Sequence, residues 1–303
     1  MYYNGKFVME SEVHISPRAH ALNYGSGCFE GIRAYYNTEQ NALYVFRMKE
    51  HFERMMNSAK LLFISLPNTV DELCSITQDL LAKNFTTNDM YIRPLAFKED
   101  TAVGNFTLSQ LKDGFLIYTT PLGRYLPAEE GIRANVSSWM RVPDNAIPPR
   151  AKITGAYINT ALAKTDSALA GFDEALFMDS NGHIVEGSAE NIFVVRNGKI
   201  YTPPTSDDIL MGITRDTVMQ ICKNEFGISV EEKSIDRSEI YQVDEVFLVG
   251  TGAEISPVRE IDGRTIGNGK VGNISAKIKK LYFDIVHGNN PDYMHFLTKV
   301  ENK

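Results

Sequence analysis

Two Asn-Gly dipeptides, Asn181-Gly182 and Asn197-Gly198, each divide β-prone runs in the second half of the chain, and they constrain the fold more than any other feature. Both residue types tolerate positive φ, so each dipeptide closes a tight turn whose flanking strands run antiparallel. The sheet there is expected to be mixed or antiparallel, not purely parallel. Helical periodicity surrounds these strands. It predicts helices at about residues 156–170, at 214–226 with Val218, Ile221, Cys222 and Phe226 on one face and Gly227 as C-cap, and at 274–286.

The first third alternates differently. A strand is predicted at 44–47, helices at 49–62 and 71–83, and further strands at 91–97 and 114–119. Leu73, Ile76, Leu80 and Leu81 fall on one face of the second helix, and Pro94 suggests an edge, a strand end or a bulge. The stretch Pro121-Leu-Gly-Arg-Tyr-Leu-Pro127 then interrupts the pattern, which restarts with a strand at 132–138. The fold class is therefore α+β or α/β in two domains. A small N-terminal domain covers 1–120, an interdomain loop 121–131 and a larger C-terminal domain 132–303, sizes at which each can bury a core.

A net charge of −7 without a basic stripe opposes nonspecific nucleic-acid binding. No apolar run approaches the roughly 18 residues of a membrane helix, so no membrane partner is expected. Cys28, Cys74 and Cys222 are odd in number and lack C-x-x-C spacing, and the first residues begin a strand rather than a secretory signal; a reduced cytoplasm is expected. The six histidines show no metal-ligand spacing, and no metal is expected.

Lys152 stands in a nearly uncharged stretch after Pro148-Pro149 and before a helix. Desolvation lowers the pKa of such an amine and lets it condense with an aldehyde, although most lysines are simply solvated. Gly212-Ile213-Thr214 opens the helix that ends at Gly227, which suits a phosphate at the helix N-terminus and equally suits an ordinary N-cap. Gly250-Thr251-Gly252, beyond a strand at 245–249, is a second anion cradle or a plain turn. Glu186 ends a β run beside small residues and can point into a crevice, as can Glu190. Gly267-Asn-Gly-Lys-Val-Gly272 matches G-x-G-x-x-G, but only about 30 residues follow, too few for a dinucleotide domain. It reads as a loop.

Taken in order, Tyr24-Gly-Ser-Gly-Cys-Phe-Glu-Gly-Ile-Arg33, Tyr91-Ile-Arg-Pro94, Lys152 to Tyr157, Glu186 to Asn191, Gly212 to Asp216 and Gly250 to Pro257 resemble the fold-type-IV pyridoxal-phosphate enzymes. The resemblance is strongest to branched-chain-amino-acid aminotransferases and spans nearly the whole chain. It implies the two-domain D-amino-acid-aminotransferase-like fold, pyridoxal 5′-phosphate as cofactor, and transfer of the amino group of L-leucine, L-isoleucine or L-valine to 2-oxoglutarate. Lys152 matches the lysine that bonds the cofactor, Glu186 the carboxylate at the pyridine nitrogen and Tyr157 the tyrosine near the ring hydroxyl. Arg54, Ile213, Thr214 and Thr251 match the phosphate cup. Tyr91, Thr251 and Gly252 match the groups holding the substrate α-carboxylate, and Tyr24, Phe29, Gly31, Arg93 and Tyr125 resemble the side-chain pocket, with Arg93 receiving the distal carboxylate of glutamate.

The resemblance further implies a homodimer or homohexamer, in which Thr101-Ala-Val-Gly-Asn105 helps close a neighbour's pocket. Leu122 replaces a tryptophan common in bacterial members and Gly252 an alanine, so a broader substrate range is expected. A D-amino-acid or (R)-amine aminotransferase, or an aminodeoxychorismate lyase, would share Lys152 and the cofactor. Tyr91-x-Arg93 with Gly250-Thr-Gly252 argues against the first two.

Overall fold

Asn197 and Gly198 both take left-handed φ, 52° and 74°, and join the strands Asn191–Arg196 and Lys199–Thr202 in an antiparallel hairpin, as their chemistry demands. The computed structural model describes residues 1–123 and 129–301. At the other dipeptide only Gly182 is left-handed, at 86°, and the turn is longer. Asp179 organises it, its carboxylate accepting the N–H groups of Asn181 and His183 at 2.9 Å each.

These hairpins belong to a ring of strands. Asn191–Arg196, Glu245–Gly250, Glu254–Ile261, Ile132–Val136, Glu174–Met178 and His183–Gly187 pair in that order, and the last pairs back to the first through Glu186 and Asn191. Ile132–Val136 runs parallel to both of its neighbours while the other pairs in the ring are antiparallel, so the sheet is mixed, as expected. Ile132, Ile184, Ile192, Val194, Leu248 and Val258 fill its core. Ring closure brings the Glu186 strand end against Asn191.

The helices Tyr157–Leu169 and Ile213–Phe226 belong to the same compact unit. Gly227 caps the second with φ 63°, as predicted, and Val218, Ile221 and Cys222 are buried on one face. The Gly267 to Gly272 segment is a loop. The helix after it, Asn273–Val286, has its first turn closed by the chain's own Glu245, whose carboxylate accepts the N–H groups of Ile274 and Ser275 at 2.9 and 2.8 Å.

The other unit is built on an eight-stranded antiparallel sheet with Met90–Lys98 and Asp113–Pro121 at its centre. Its helices run Met48–Leu61 and Val70–Lys83, each starting one residue before the predicted 49–62 and 71–83. Thr69 and Glu72 form a capping box at the second, and Thr77 rather than Ile76 completes the buried face with Leu73, Leu80 and Leu81.

Pro94 departs from expectation. It lies in the middle of Met90–Lys98, with Asp113–Pro121 on one side and two shorter strands, Gly27–Phe29 and Ile32–Asn37, on the other. The shorter strands leave a gap at Glu30-Gly31, where the Glu30 N–H donates to the Pro94 carbonyl at 3.0 Å. No donor is asked of Pro94 on that side, so a central strand accepts it.

The units are discontinuous in sequence. Met1–Gly123, Ala151–Ala156 and Asp284–Lys303 form one, and Arg124–Arg150 with Tyr157–Phe283 the other, whereas the sequence reading divides the chain once, at 121–131. Two long-range pairings explain the difference: Leu297–Glu301 adds to the first sheet beside Ala42–Phe46, and Ile153 bridges to Cys28.

Candidate active site

In the first unit the segment carrying Lys152 is pinned by its backbone. The Phe29 N–H donates to the Lys152 carbonyl at 3.0 Å, and the Lys152 N–H donates to Ser58 Oγ at 3.2 Å. Three residues on, Gly155 packs so closely on Gly25 that a Cβ on Gly25 would stand 2.6 Å from the Gly155 Cα. Gly25 also needs its left-handed φ of 68°. The half-buried side chain places Nζ 5.1 Å from the centre of the Phe29 ring.

The same ring carries the Arg93 guanidinium, 4.3 Å from its centre, and Arg93 donates to the Tyr91 hydroxyl through Nη2 at 2.6 Å and Nε at 3.1 Å. Burial raises the Tyr91 pKa against the opposing pull of Arg93, so the hydroxyl keeps its proton. Gly31 is required here, because a Cβ would come within 2.5 Å of that hydroxyl. Phe29, Gly31, Tyr91, Arg93 and Lys152 are thus brought together. Tyr24 is placed elsewhere, 42% exposed at the end of the short helix His20–Tyr24 and packed on His20 and Phe106. Tyr125 lies outside the described residues.

Arg54 is held by a residue that sequence reasoning leaves without a role. Glu30, fully buried, accepts Arg54 Nε at 2.7 Å and Nη2 at 2.8 Å, and its Oε2 also receives His51 Nδ1 at 2.8 Å. Burial opposes the Glu30 charge, but Arg54 and then His51 outweigh it and hold the carboxyl well below the usual carboxylate range. A depressed folded pKa contributes stability that is present above the unfolded value near 4.5 and is lost as pH falls below it. Glu30→Gln is therefore expected to destabilise the protein at pH 7 by about 3–5 kcal/mol, by leaving Arg54 without its fork partner. Urea unfolding at pH 7 checks this, and a loss below about 1 kcal/mol refutes it.

In the second unit the buried Glu186 pairs with the partly buried Arg141 at 2.7 Å. Glu186 Oε2 also accepts from Asn191 Nδ2 and from the Leu210 N–H, both at 3.3 Å. Arg141, Tyr157, Glu186, Glu190, Asn191 and Leu210 line a cavity of about 30 Å³. Gly212 precedes the helix Ile213–Phe226 with no side-chain cap, and a Cβ there would stand 2.0 Å from Asn191 Oδ1. The helix at Asn273 is closed by Glu245, whereas this one presents the Gly212 backbone and a buried Thr214 at its positive end. Thr251 and Gly252 form the turn of the hairpin joining Glu245–Gly250 to Glu254–Ile261, and the left-handed residue is Glu254, at 54°, rather than either glycine.

Arg141, Glu30 and His51 are the functional candidates that the sequence reading misses. Glu30 lies inside the quoted motif between Phe29 and Gly31, which is a usable signal; Arg141 lies in an irregular stretch without one. The three cysteines are poor rival nucleophiles, because burial pushes Cys28 and Cys222 up to about 12 and Cys74 up to about 11. No group of three or more His, Cys, Asp or Glu among the described residues could hold a metal.

The residue types fit pyridoxal phosphate: an amine on a rigid segment, a carboxylate backed by arginine, and an anion-ready helix terminus opened by a glycine that nothing larger could replace. The comparisons agree. The chain is 45% identical over 302 residues to a probable branched-chain-amino-acid aminotransferase of Aquifex aeolicus, covering 100% of this chain and 97% of that protein. The crystal structure of a branched-chain aminotransferase from Thermoproteus uzoniensis with norvaline matches with a TM-score of 0.94 at 43% identity, over 99% of this chain and 98% of that one. A T.th. branched-chain amino acid aminotransferase complexed with N-(5′-phosphopyridoxyl)-L-glutamate also matches with a TM-score of 0.94, at 40% identity and the same coverage. The class IV amino-transferase family matches residues 27–261, and with full-length relatives at this identity the chain belongs to that family of pyridoxal-phosphate enzymes.

Proposed function

We propose that this protein is a branched-chain-amino-acid aminotransferase that passes the amino group of L-leucine, L-isoleucine or L-valine to 2-oxoglutarate. The observation that carries this reading is the Phe29, Tyr91 and Arg93 cluster beside Lys152. An aromatic wall accepts a branched apolar side chain, and one guanidinium on that wall receives the second carboxylate of glutamate in the other half-reaction. Alternation between two such substrates needs both surfaces near the reacting carbon.

When bound, pyridoxal phosphate supplies an electron sink for the bonds at the substrate α-carbon. Lys152 would hold the cofactor, and its amine would move the proton at the substrate Cα as a general base. Glu186, paired with Arg141, would present a carboxylate to the ring nitrogen and favour its protonated form. Tyr157 would meet the ring hydroxyl. Arg54, Ile213, Thr214 and Thr251 would be the residues to hold the phosphate, and Glu30 fixes the fork of Arg54. Tyr91, Thr251 and Gly252 would orient the α-carboxylate, and Tyr24 would join the side-chain pocket of the assembled enzyme.

Assembly as a homodimer or homohexamer is part of this reading. The segment 101–105, where Val103 is 75% exposed, would meet a second copy. Three free cysteines support a cytoplasmic location. The visible spectrum of the cofactor-loaded protein tests the reaction. L-isoleucine alone is expected to bleach the band of the lysine-bound cofactor; bleaching by D-alanine alone would move the chain to a D-specific activity, and bleaching by neither would refute transamination.

A further inference from the structure

Ser58 has no role in the reading above, yet it joins two residues that do. It lies inside the helix Met48–Leu61, 1% exposed, four positions after Arg54. Its hydroxyl donates to the Arg54 carbonyl at 3.0 Å and accepts the Lys152 N–H at 3.2 Å. The first bond is one that helical serines often make, and it gives the helix nothing that alanine, the best helix former, would not exceed. The second is different. It reaches across 94 positions to the backbone of the residue that bears the candidate amine.

Together these bonds complete a circuit. From Lys152 the contacts run through its carbonyl to the Phe29 N–H at 3.0 Å, along the peptide to Glu30, and from the Glu30 carboxylate to Arg54 Nε and Nη2 at 2.7 and 2.8 Å. From the Arg54 carbonyl they return through the Ser58 hydroxyl to the Lys152 N–H. His51 Nδ1 braces the Glu30 carboxylate at 2.8 Å, and Glu30, His51 and Ser58 are all buried. Bonds shielded from water in a closed set support one another more firmly than the same bonds in an open chain. The Lys152 segment and the Arg54 helix are thus set relative to each other twice, through Glu30 on one side and Ser58 on the other.

We propose that Ser58 is a positioning residue: by closing this circuit, its hydroxyl fixes the spacing between the Lys152 amine and the Arg54 guanidinium. The proposal deepens the function proposed above and rests on it, because those two groups are assigned to the aldehyde and to the phosphate of one compact ligand. Binding at two points is strong only where the points are already held at the right separation. With the Ser58 link open, either group can still be met, but meeting both costs the ordering of the segment that carries the lysine.

Pyridoxal separates this role from a merely structural one, since it offers the aldehyde without the phosphate. Titration of the lysine-bound visible band with pyridoxal phosphate and with pyridoxal, in the full-length cofactor-free chain, gives the ratio of the two affinities. Ser58→Ala is expected to lower that ratio about tenfold relative to the parent. Formation of the band with pyridoxal shows in the same titration that the variant is folded. An unchanged ratio, whether both affinities fall together or neither moves, would overturn the proposal.

Hydrogen exchange in the same cofactor-free chains is the second measurement. Opening the circuit at Ser58 is expected to speed exchange about tenfold at the Phe29 N–H, on the far side of Lys152, while the strand Asp113–Pro121 keeps the parent rate. Faster exchange confined to the Lys152 N–H would mean that the bonds act singly, and would overturn the circuit. A parent chain that gives the band with neither aldehyde would refute the cofactor reading itself, and the exchange comparison would still decide whether the circuit is closed.

Discussion

Replacing Lys152 with alanine is expected to lower kcat by at least about 10⁴-fold while leaving the fold intact. The two effects separate because the structural role of this residue is in its backbone. Its carbonyl accepts the Phe29 N–H and its N–H donates to Ser58, and alanine keeps both bonds. The side chain is half-buried beside the Phe29 ring and supplies only the amine. The variant should therefore match the parent in far-UV circular dichroism and melting, yet lack the visible band of lysine-bound cofactor and show no transamination of L-isoleucine. Lys152→Arg sharpens the comparison, since it keeps a cation near the ring but cannot condense with an aldehyde. Activity within about 100-fold of the parent in either variant would remove Lys152 from its assigned role.

Local chemistry makes much of this structure legible from sequence. Asn197-Gly198 demands a left-handed turn, Gly227 a helix end, and the apolar spacing of Leu73, Leu80 and Leu81 a buried helix face, and each occurs. What escapes depends on contacts between distant residues. The strand Leu297–Glu301 carries no mark that assigns it to Ala42–Phe46, some 250 positions earlier, and no turn residue signals that Ala151–Ala156 returns to the first unit. Pro94 misleads because the missing N–H is harmless only where the neighbouring strand happens to break, at Glu30-Gly31. The site divides in the same way. The lysine, glycines and glutamate of ordered motifs can be named, whereas Glu30 and Arg141, which set the charge around Arg54 and Glu186, are visible only once burial and pairing are known. Tyr24 shows the reverse case, a motif residue that lies at the surface of the single chain.

Arg93→Leu is expected to separate the two half-reactions. With L-glutamate the variant should lose about 10²–10³-fold in kcat/KM, since removing one partner of a desolvated charge pair costs about 2–5 kcal/mol. With L-leucine the loss should stay within about tenfold, because the Phe29 ring remains and leucine presents no second carboxylate. The small loss comes from Tyr91, whose hydroxyl surrenders the Arg93 donors at 2.6 and 3.1 Å and shifts against Gly31. Single-turnover conversion of the loaded enzyme by each amino acid measures the ratio directly. A uniform fall with both substrates would mean that Arg93 acts only as a prop for Tyr91 and the α-carboxylate, and that the distal carboxylate is received by another group. A selective fall with glutamate would locate the dual specificity in one guanidinium placed over one phenyl ring, where an apolar surface and a positive charge are offered from the same side.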